Sequence, residues 1–461
     1  FGSSFRLFDP RYWVMTARTP LDQEAGKPGS FLSEPDAVAK LLSASYLEGG
    51  TEGHEKVPSC FGDGLAGHVY MLSAMSLGVG VFSLPQVLTS CGWALGTGLL
   101  ALFAVVTYFT GWETLECSRN LGGVFTYEEL ASRGLGGFGL VYLTVTMGLS
   151  TFIGNASHIE TVGDMLGNLM YWFVTDSPSG GQDTWEMPQW KRAVIMTVLL
   201  AAVLPFCFQK TIRSLEWIGT LSVLMVCING FLFIVYCLVC CARGDNSHDL
   251  PPAVGTDVKA ILKALGNICF TYTSILSLFP VLKEMPDRTK AKAAFRWATI
   301  ICFLVYLCVA LLGCLVFGIG TQENSLYNIK DADRGFFRVF WLLLVFTITL
   351  LYPVINYPMV VSVQFLVYRG KYSREIISTV GAILTVVLTM VVPHISDMFS
   401  LCGSLGLGSV VLVIPSLIYL AVDPASLLSA KKIMAIFSLI FGLFIVTVST
   451  TFTIQSIAQG K

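Results

Sequence analysis

Charge is what this sequence has least of. Only 13% of its 461 residues are Asp, Glu, Lys or Arg, where a soluble chain carries about a quarter. With 54% hydrophobic residues and a mean hydropathy of +0.69, an ordinary soluble domain is excluded. The chain reads as a polytopic membrane protein. Its net charge of -1 says nothing about partners, because in such a chain charge matters by location. Catalytic signatures are missing too. There is no HExxH and no GxSxG, and the five histidines (His54, His68, His158, His248, His394) are dispersed. The expectation is therefore no enzyme and no catalytic residue. Thirteen cysteines are scattered, mostly in apolar runs, where cysteine behaves as a small hydrophobe. Cys237, Cys240 and Cys241 cluster without a second pair or a nearby histidine, so no metal site is expected. Neither a cofactor nor a nucleic-acid partner is expected; membrane lipid is.

Residues 1–58 are polar, rich in Pro, Gly and Ser with both charge signs. They predict a largely flexible cytosolic tail with one short helix over 37–47. The first residue is Phe1, so an earlier start is expected in the natural protein, and no signal-peptide pattern precedes the first apolar run. The remainder, 59–461, is expected to form the membrane core. Measured against the roughly 20 residues needed to cross hydrocarbon, apolar runs predict eleven spans. They cover 67–90, 93–115, 138–162, 193–208, 218–240, 260–282, 297–317, 336–367, 376–392, 398–420 and 433–454. With the N-terminus in the cytosol, the cytosolic loops hold Arg119, Arg133, Lys210, Arg213, Lys283, Arg288, Lys290, Lys292, Arg296, Arg369, Lys371, Arg374, Lys431 and Lys432. This satisfies the positive-inside bias.

Two spans carry interruptions. Span 1 reads Met75-Ser76-Leu77-Gly78-Val79-Gly80-Val81-Phe82-Ser83-Leu84-Pro85, poor material for a continuous helix. In lipid a helix breaks only where the freed N–H and C=O groups face protein or a wet cavity. Amides of Gly78 to Phe82 at a half-helix end suit a carboxylate; the plainer reading is close helix packing through small residues. Span 6 contains Phe270-Thr271-Tyr272-Thr273-Ser274 ahead of Pro280. Hydroxyls and freed carbonyls there suit an ammonium group or a coupling ion, with Phe270 and Tyr272 shaping a pocket. The alternative is hydroxyls bonded back to their own helix. Interruptions in the first span of each half point to a transporter with its site at the midplane.

Carboxylates inside spans are functional candidates by default. Glu160 and Asp164, near one end of span 3, are candidates for ion coupling, as are Thr347 and Thr349 of span 8, whose oxygens suit a small hard cation. Glu113 and Glu116 end span 2. A position at the water interface is the rival reading for all four carboxylates, and backbone capping is the rival for the threonines.

Taken together, these stretches resemble the amino acid/auxin permease family of the amino acid-polyamine-organocation superfamily. Leu77 to Pro85 is similar to that family's GxGxLxLP, and Leu265-Gly266-Asn267-Ile268 with Phe270 and Tyr272 to its LGxIxFxY. Thr126 to Ala131 followed by Gly134 and Gly136-Gly137, then Gly163-Asp164, fit the surroundings of span 3. Gly313 to Gly318 resembles GYxxFG with Cys314 in place of the aromatic. Tyr352-Pro353, Tyr357-Pro358, Gly403-Ser404 and Pro415 complete the series. The resemblance implies an all-α, LeuT-like 5+5 inverted repeat (67–242 and 258–421) plus one extra helix at 432–455. It also implies secondary active transport of amino acids. The implied substrate contacts are Leu77, Gly78, Val79, Gly80, Val81, Phe82, Phe270, Thr271, Tyr272, Thr273 and Ser274. Ala74 stands where sodium-coupled members often carry asparagine, and Met359 and Val360 where an arginine is often found. The first departure favours proton coupling or a facilitator over sodium coupling. Plasma membrane and vacuolar or lysosomal membrane fit equally. The rival expectation is a transporter-like sensor read by a cytosolic partner.

Overall fold

The computed structural model describes residues 64–124, 126–175, 189–208, 216–245, 249–285, 287–332, 334–364, 366, 373–392 and 394–459. The tail 1–58 with its expected helix over 37–47, and Lys210, Arg213, Arg369 and Lys371, lie outside them.

Among the described residues the elements are helical, without strands. Ten helical stretches are long and apolar enough to cross a membrane. The interrupted stretch from Leu65–Ser76 to Leu84–Cys91 adds the eleventh expected span. Spans 2 to 5 are Trp93–Asn120, Tyr127–Thr175, Gln189–Cys207 and Glu216–Arg243. Span 6 is Val258–Thr271 and Leu278–Glu284, and span 7 is Ala291–Phe317. A short helix, Leu326–Ala332, precedes span 8, Arg334–Val363. Span 9 is Arg374–Val391, span 10 is Ile395–Val422 and span 11 is Ala430–Gln459.

Span 3 is longer at both ends than hydropathy predicts. Its start is set by Thr126, whose hydroxyl accepts from the Glu129 amide at 3.2 Å, half of a capping box. Helix then runs to Gly136, where φ of 65° and ψ of -155° form a kink that only glycine adopts freely. The apolar run begins beyond that kink. Hydropathy therefore places the membrane segment but misses the helix leading into it.

Packing divides the spans into two groups. Span 7 lies against span 2 and both halves of span 1, and the second half of span 1 lies against spans 2 and 6. Spans 3, 4, 8 and 9 pack on one another, while span 10 bridges to spans 2, 3 and 6. Glycine makes the tight contacts. A Cβ at Gly403 would stand 1.9 Å from the Gly266 carbonyl oxygen, and one at Gly111 would stand 2.1 Å from the Phe295 ring. Spans 6 and 10 thus meet at backbone distance, and span 2 takes a span 7 ring against its backbone, the membrane-helix use of small residues. Residues Cys402–Val413 of span 10 run as a π-helix, a form associated with functional stretches. On span 9, Val380, Ile383, Leu384, Val387 and Val391 are exposed; their helical spacing gives the lipid-facing stripe that a peripheral span requires.

Candidate binding site between the two interrupted helices

The two interruptions follow one backbone path. In span 1 the helix stops at Ser76, and Leu77 has φ -75° and ψ 76°, while the Gly78 amide donates to Ser76 O at 2.9 Å. In span 6 it stops at Thr271, and Tyr272 has φ -93° and ψ 67°, while the Thr273 amide donates to Thr271 O at 3.2 Å. Each is an inverse γ-turn. A 3₁₀ stretch follows, Val79–Ser83 or Ser274–Ser277. Each contains a serine bonded three residues back: Ser83 Oγ to Gly80 O at 2.8 Å and Ser277 Oγ to Ser274 O at 2.9 Å. Helix resumes at Leu84 and at Leu278.

These turns meet. A Cβ on Gly80 would stand 2.7 Å from Phe270 Cδ1 and 3.2 Å from Thr271 Cγ2, so glycine at 80 leaves room for the Phe270 and Thr271 side chains against the first turn. Gly78 is different, for a Cβ there meets nothing within 4 Å. Open space therefore lies beside the first turn. The carbonyl ends of both half-helices converge on one group: the Tyr306 hydroxyl of span 7 lies 2.7 Å from Ser76 O and 2.8 Å from Thr271 O. Two helix C-termini, each carrying partial negative charge, share a single O–H donor. Such an arrangement suits a positively charged group.

Side chains of the expected site divide by exposure. Leu77, Gly78, Phe270 and Thr273 are half-buried; of Val79 only the backbone is described. Val81, Phe82, Thr271, Tyr272 and Ser274 are buried. Phe82 packs edge-on against Phe233 of span 5 with ring centroids 5.6 Å apart. Tyr272 is wedged between spans 2 and 7: its hydroxyl donates to Leu100 O at 3.0 Å, and its ring meets Tyr306 edge-on at 5.1 Å. Phe270 stacks on Phe399 of span 10 at 4.7 Å. The Thr271 hydroxyl bonds back to Ile268 O at 2.7 Å. The interruptions therefore offer a ligand mainly backbone, beside the half-buried positions 77, 78, 270 and 273.

The ion-coupling candidates are engaged with partners outside the two turns. Thr347 and Thr349 donate to Leu343 O and Val345 O of their own helix, each at 2.7 Å. Glu160 and Asp164 share Arg192 of span 4, with Oε1 and Oδ1 at 3.0 and 2.8 Å from Nη2. Glu160 is fully buried. Tyr327 donates to Asp164 Oδ2 at 3.3 Å. Beside them the 7–8 connection is fastened at Ser325, whose amide and hydroxyl reach Phe82 O at 2.9 and 2.7 Å. It is fastened again at Glu323, which accepts from the Ser396 amide at 3.3 Å. Sequence reasoning missed Tyr306, Arg192 and Ser325. Tyr306 had a signal, as a hydroxyl in the middle of the apolar run 300–317. Arg192 resembles an ordinary flanking cation, and Ser325 carries no mark at all.

Such a molecule, a multi-pass helical bundle built around two interrupted helices, belongs to the class of membrane carriers. Residues 67–455 match the model of the family described as transmembrane amino acid transporter protein, and the chain belongs to that family of transport proteins. It is 25% identical over 394 residues to the amino acid transporter AVT1I of Arabidopsis thaliana, covering 82% of this chain and 89% of that one. AVT1J of the same plant is 24% identical over 412 residues, covering 85% and 89%. AVT1D matches at 24% over 374 residues, 79% of this chain and 65% of its own length, so the chain spans about two thirds of that relative. Among solved structures, that of MhsT in complex with L-phenylalanine aligns with a TM-score of 0.48 at 11% identity, over 85% of this chain and 98% of that one.

Proposed function

We propose that this protein carries amino acids across a membrane by alternating access. The observation that carries this reading is the convergence of the Ser76 and Thr271 carbonyls, both at helix C-termini, beside the open space at Gly78. An α-amino acid presents an ammonium and a carboxylate on adjacent atoms. The ammonium suits the two carbonyl ends, and the carboxylate suits the amides that follow in the 78–82 turn. Phe270 and the aliphatic lining at Leu77 favour a neutral side chain. The group of spans 1, 2, 6 and 7 rocks against spans 3, 4, 8 and 9, with coupling to protons rather than sodium. The N-terminus lies in the cytosol.

The test is uptake of a radiolabelled amino acid mixture by the purified protein in proteoliposomes, under a proton gradient, a sodium gradient, or neither. Accumulation above equilibrium with protons alone supports the whole reading. Sodium-driven accumulation overturns the choice of ion, and equilibration without a gradient overturns coupling. No movement by folded protein overturns transport and favours a sensor.

A further inference from the structure

Membrane carboxylates of this chain differ in how their charge is met. Glu160 and Asp164 share Arg192, Asp397 meets Lys263 at 2.6 Å, and Glu116 meets Arg119 and Lys292. Among the described residues Glu113 of span 2 differs in having no cation within ion-pair distance, whereas Glu160 and Asp164 have one guanidinium between two carboxylates and Glu160 Oε2 lacks a hydrogen-bond partner. Glu113 is fully buried and its Oε2 accepts one bond, from Ser416 Oγ of span 10 at 3.1 Å. Its Oε1 is buried without a hydrogen-bond partner. The titratable groups facing it are Cys117 on its own helix, Tyr127 from span 3 and Tyr419 from span 10, none of them cationic. Asp423 follows the end of span 10. Tyr127 is occupied with Val410 O. Of the cations of spans 7 and 11 at this end, Lys292 is bonded to Glu116, it and Lys431 lie over the Trp112 ring, each 5.1 Å from its centroid, and the buried Lys432 acts on Asp423.

We propose that Glu113 carries the coupling proton of the transport cycle. An unpaired charge sealed in apolar surroundings costs several kcal/mol, so the closed contact between spans 2 and 10 accommodates Glu113 only as the neutral acid. As a carboxylate facing one aqueous side it takes up one H⁺. The neutral acid persists while spans 2 and 10 are closed over it. Release of H⁺ to the opposite side regenerates the carboxylate, with one proton moved and no other group consumed. Ser416 is the positioning residue, donating to whichever oxygen lacks the proton. The inference rests on the transport reading above and narrows it to one carboxyl group. It moves the coupling role from Glu160 and Asp164, which have one guanidinium between them, to a carboxyl group that no cation meets among the described residues.

The experiment compares the full chain with Glu113→Gln, Glu113→Asp and Asp287→Asn in proteoliposomes enclosing a pH dye. Asp287 lies in the exposed 6–7 turn and controls for loss of a negative charge. Gradient-driven accumulation and substrate-evoked proton entry should fall in Glu113→Gln by at least about fivefold, the low end of usual coupling factors. Counterflow at equal pH should fall less than either. Glu113→Asp should recover part of the proton entry, and Asp287→Asn all of it. Infrared difference spectra should show a protonated carboxyl band at neutral pH that Glu113→Gln removes. Wild-type accumulation and proton entry in Glu113→Gln, or an unchanged carboxyl band, overturn the assignment while leaving transport standing. Substrate movement in the wild type without proton entry also overturns it. Absence of movement in every folded variant overturns both readings.

Discussion

The two interruptions reach the same backbone path from opposite chemistry. In span 1 the turn at Leu77 is followed by glycine at 78 and 80, and the space beside Gly78 is empty of protein. In span 6 the turn at Tyr272 is flanked by threonines, and its side chain is locked between spans 2 and 7. One turn supplies room and the other supplies rigidity. A ligand site needs both, because freed backbone groups bind well only when held in place. Their meeting point is Gly80 against Phe270, and their common tie is Tyr306.

The largest effect on this pairing should come from Gly80→Leu, which drives a side chain into Phe270 and separates the turns. Uptake should fall about 100-fold or more, as binding geometry misplaced by about 1 Å does, while the purified protein stays folded. Normal uptake would show that the turns need not touch. Next is Tyr306→Phe, which leaves two helix-end carbonyls without their shared donor, a cost of about 1–3 kcal/mol. The KM for amino acid should rise by about tenfold with a smaller change in maximal rate; an unmoved KM would mean the carbonyls are held without it. Gly78→Ala should sharpen the contrast with position 80. Its φ of -102° is ordinary and the added methyl meets only space, so stability should change by no more than about 0.5 kcal/mol. KM should still rise about threefold, because the methyl occupies ligand room. A lowered melting temperature instead would mean that the space is structural. The smallest effects belong to Thr271→Val and Thr347→Val. Both hydroxyls bond within their own helices, so uptake should stay within about twofold and stability within about 0.5 kcal/mol.

Both interruptions were legible because glycine and proline in an apolar run conflict with an unbroken helix. All eleven spans were legible because backbone in lipid leaves few alternatives to helix. What the sequence hid was contact across long separations. Tyr306 is 230 positions from Ser76 and 35 from Thr271, and nothing local announces that its hydroxyl serves both. Glu160 and Asp164 stood out as charges in a membrane span, but their sharing of Arg192 depends on how span 4 packs against span 3. Hydroxyl-bearing residues stood out as well. Thr271, Thr347 and Thr349 look like donors to a ligand or an ion, yet short hydrophilic side chains on a helix find their own carbonyls first. Glu113 and Glu116 read alike as span-end charges, and only burial separates the paired one from the unpaired one.

Ser325 gives both its amide and its hydroxyl to the carbonyl of Phe82. That carbonyl belongs to the first turn of the site, whereas Ser325 belongs to a connecting segment whose neighbour Gln322 is exposed. Any ligand that reorients Phe82 must therefore tug on a surface loop. A small fluorophore attached at position 322 would convert occupancy at the centre of the bundle into a change in light, reading the empty and loaded states without a radiolabel or a gradient.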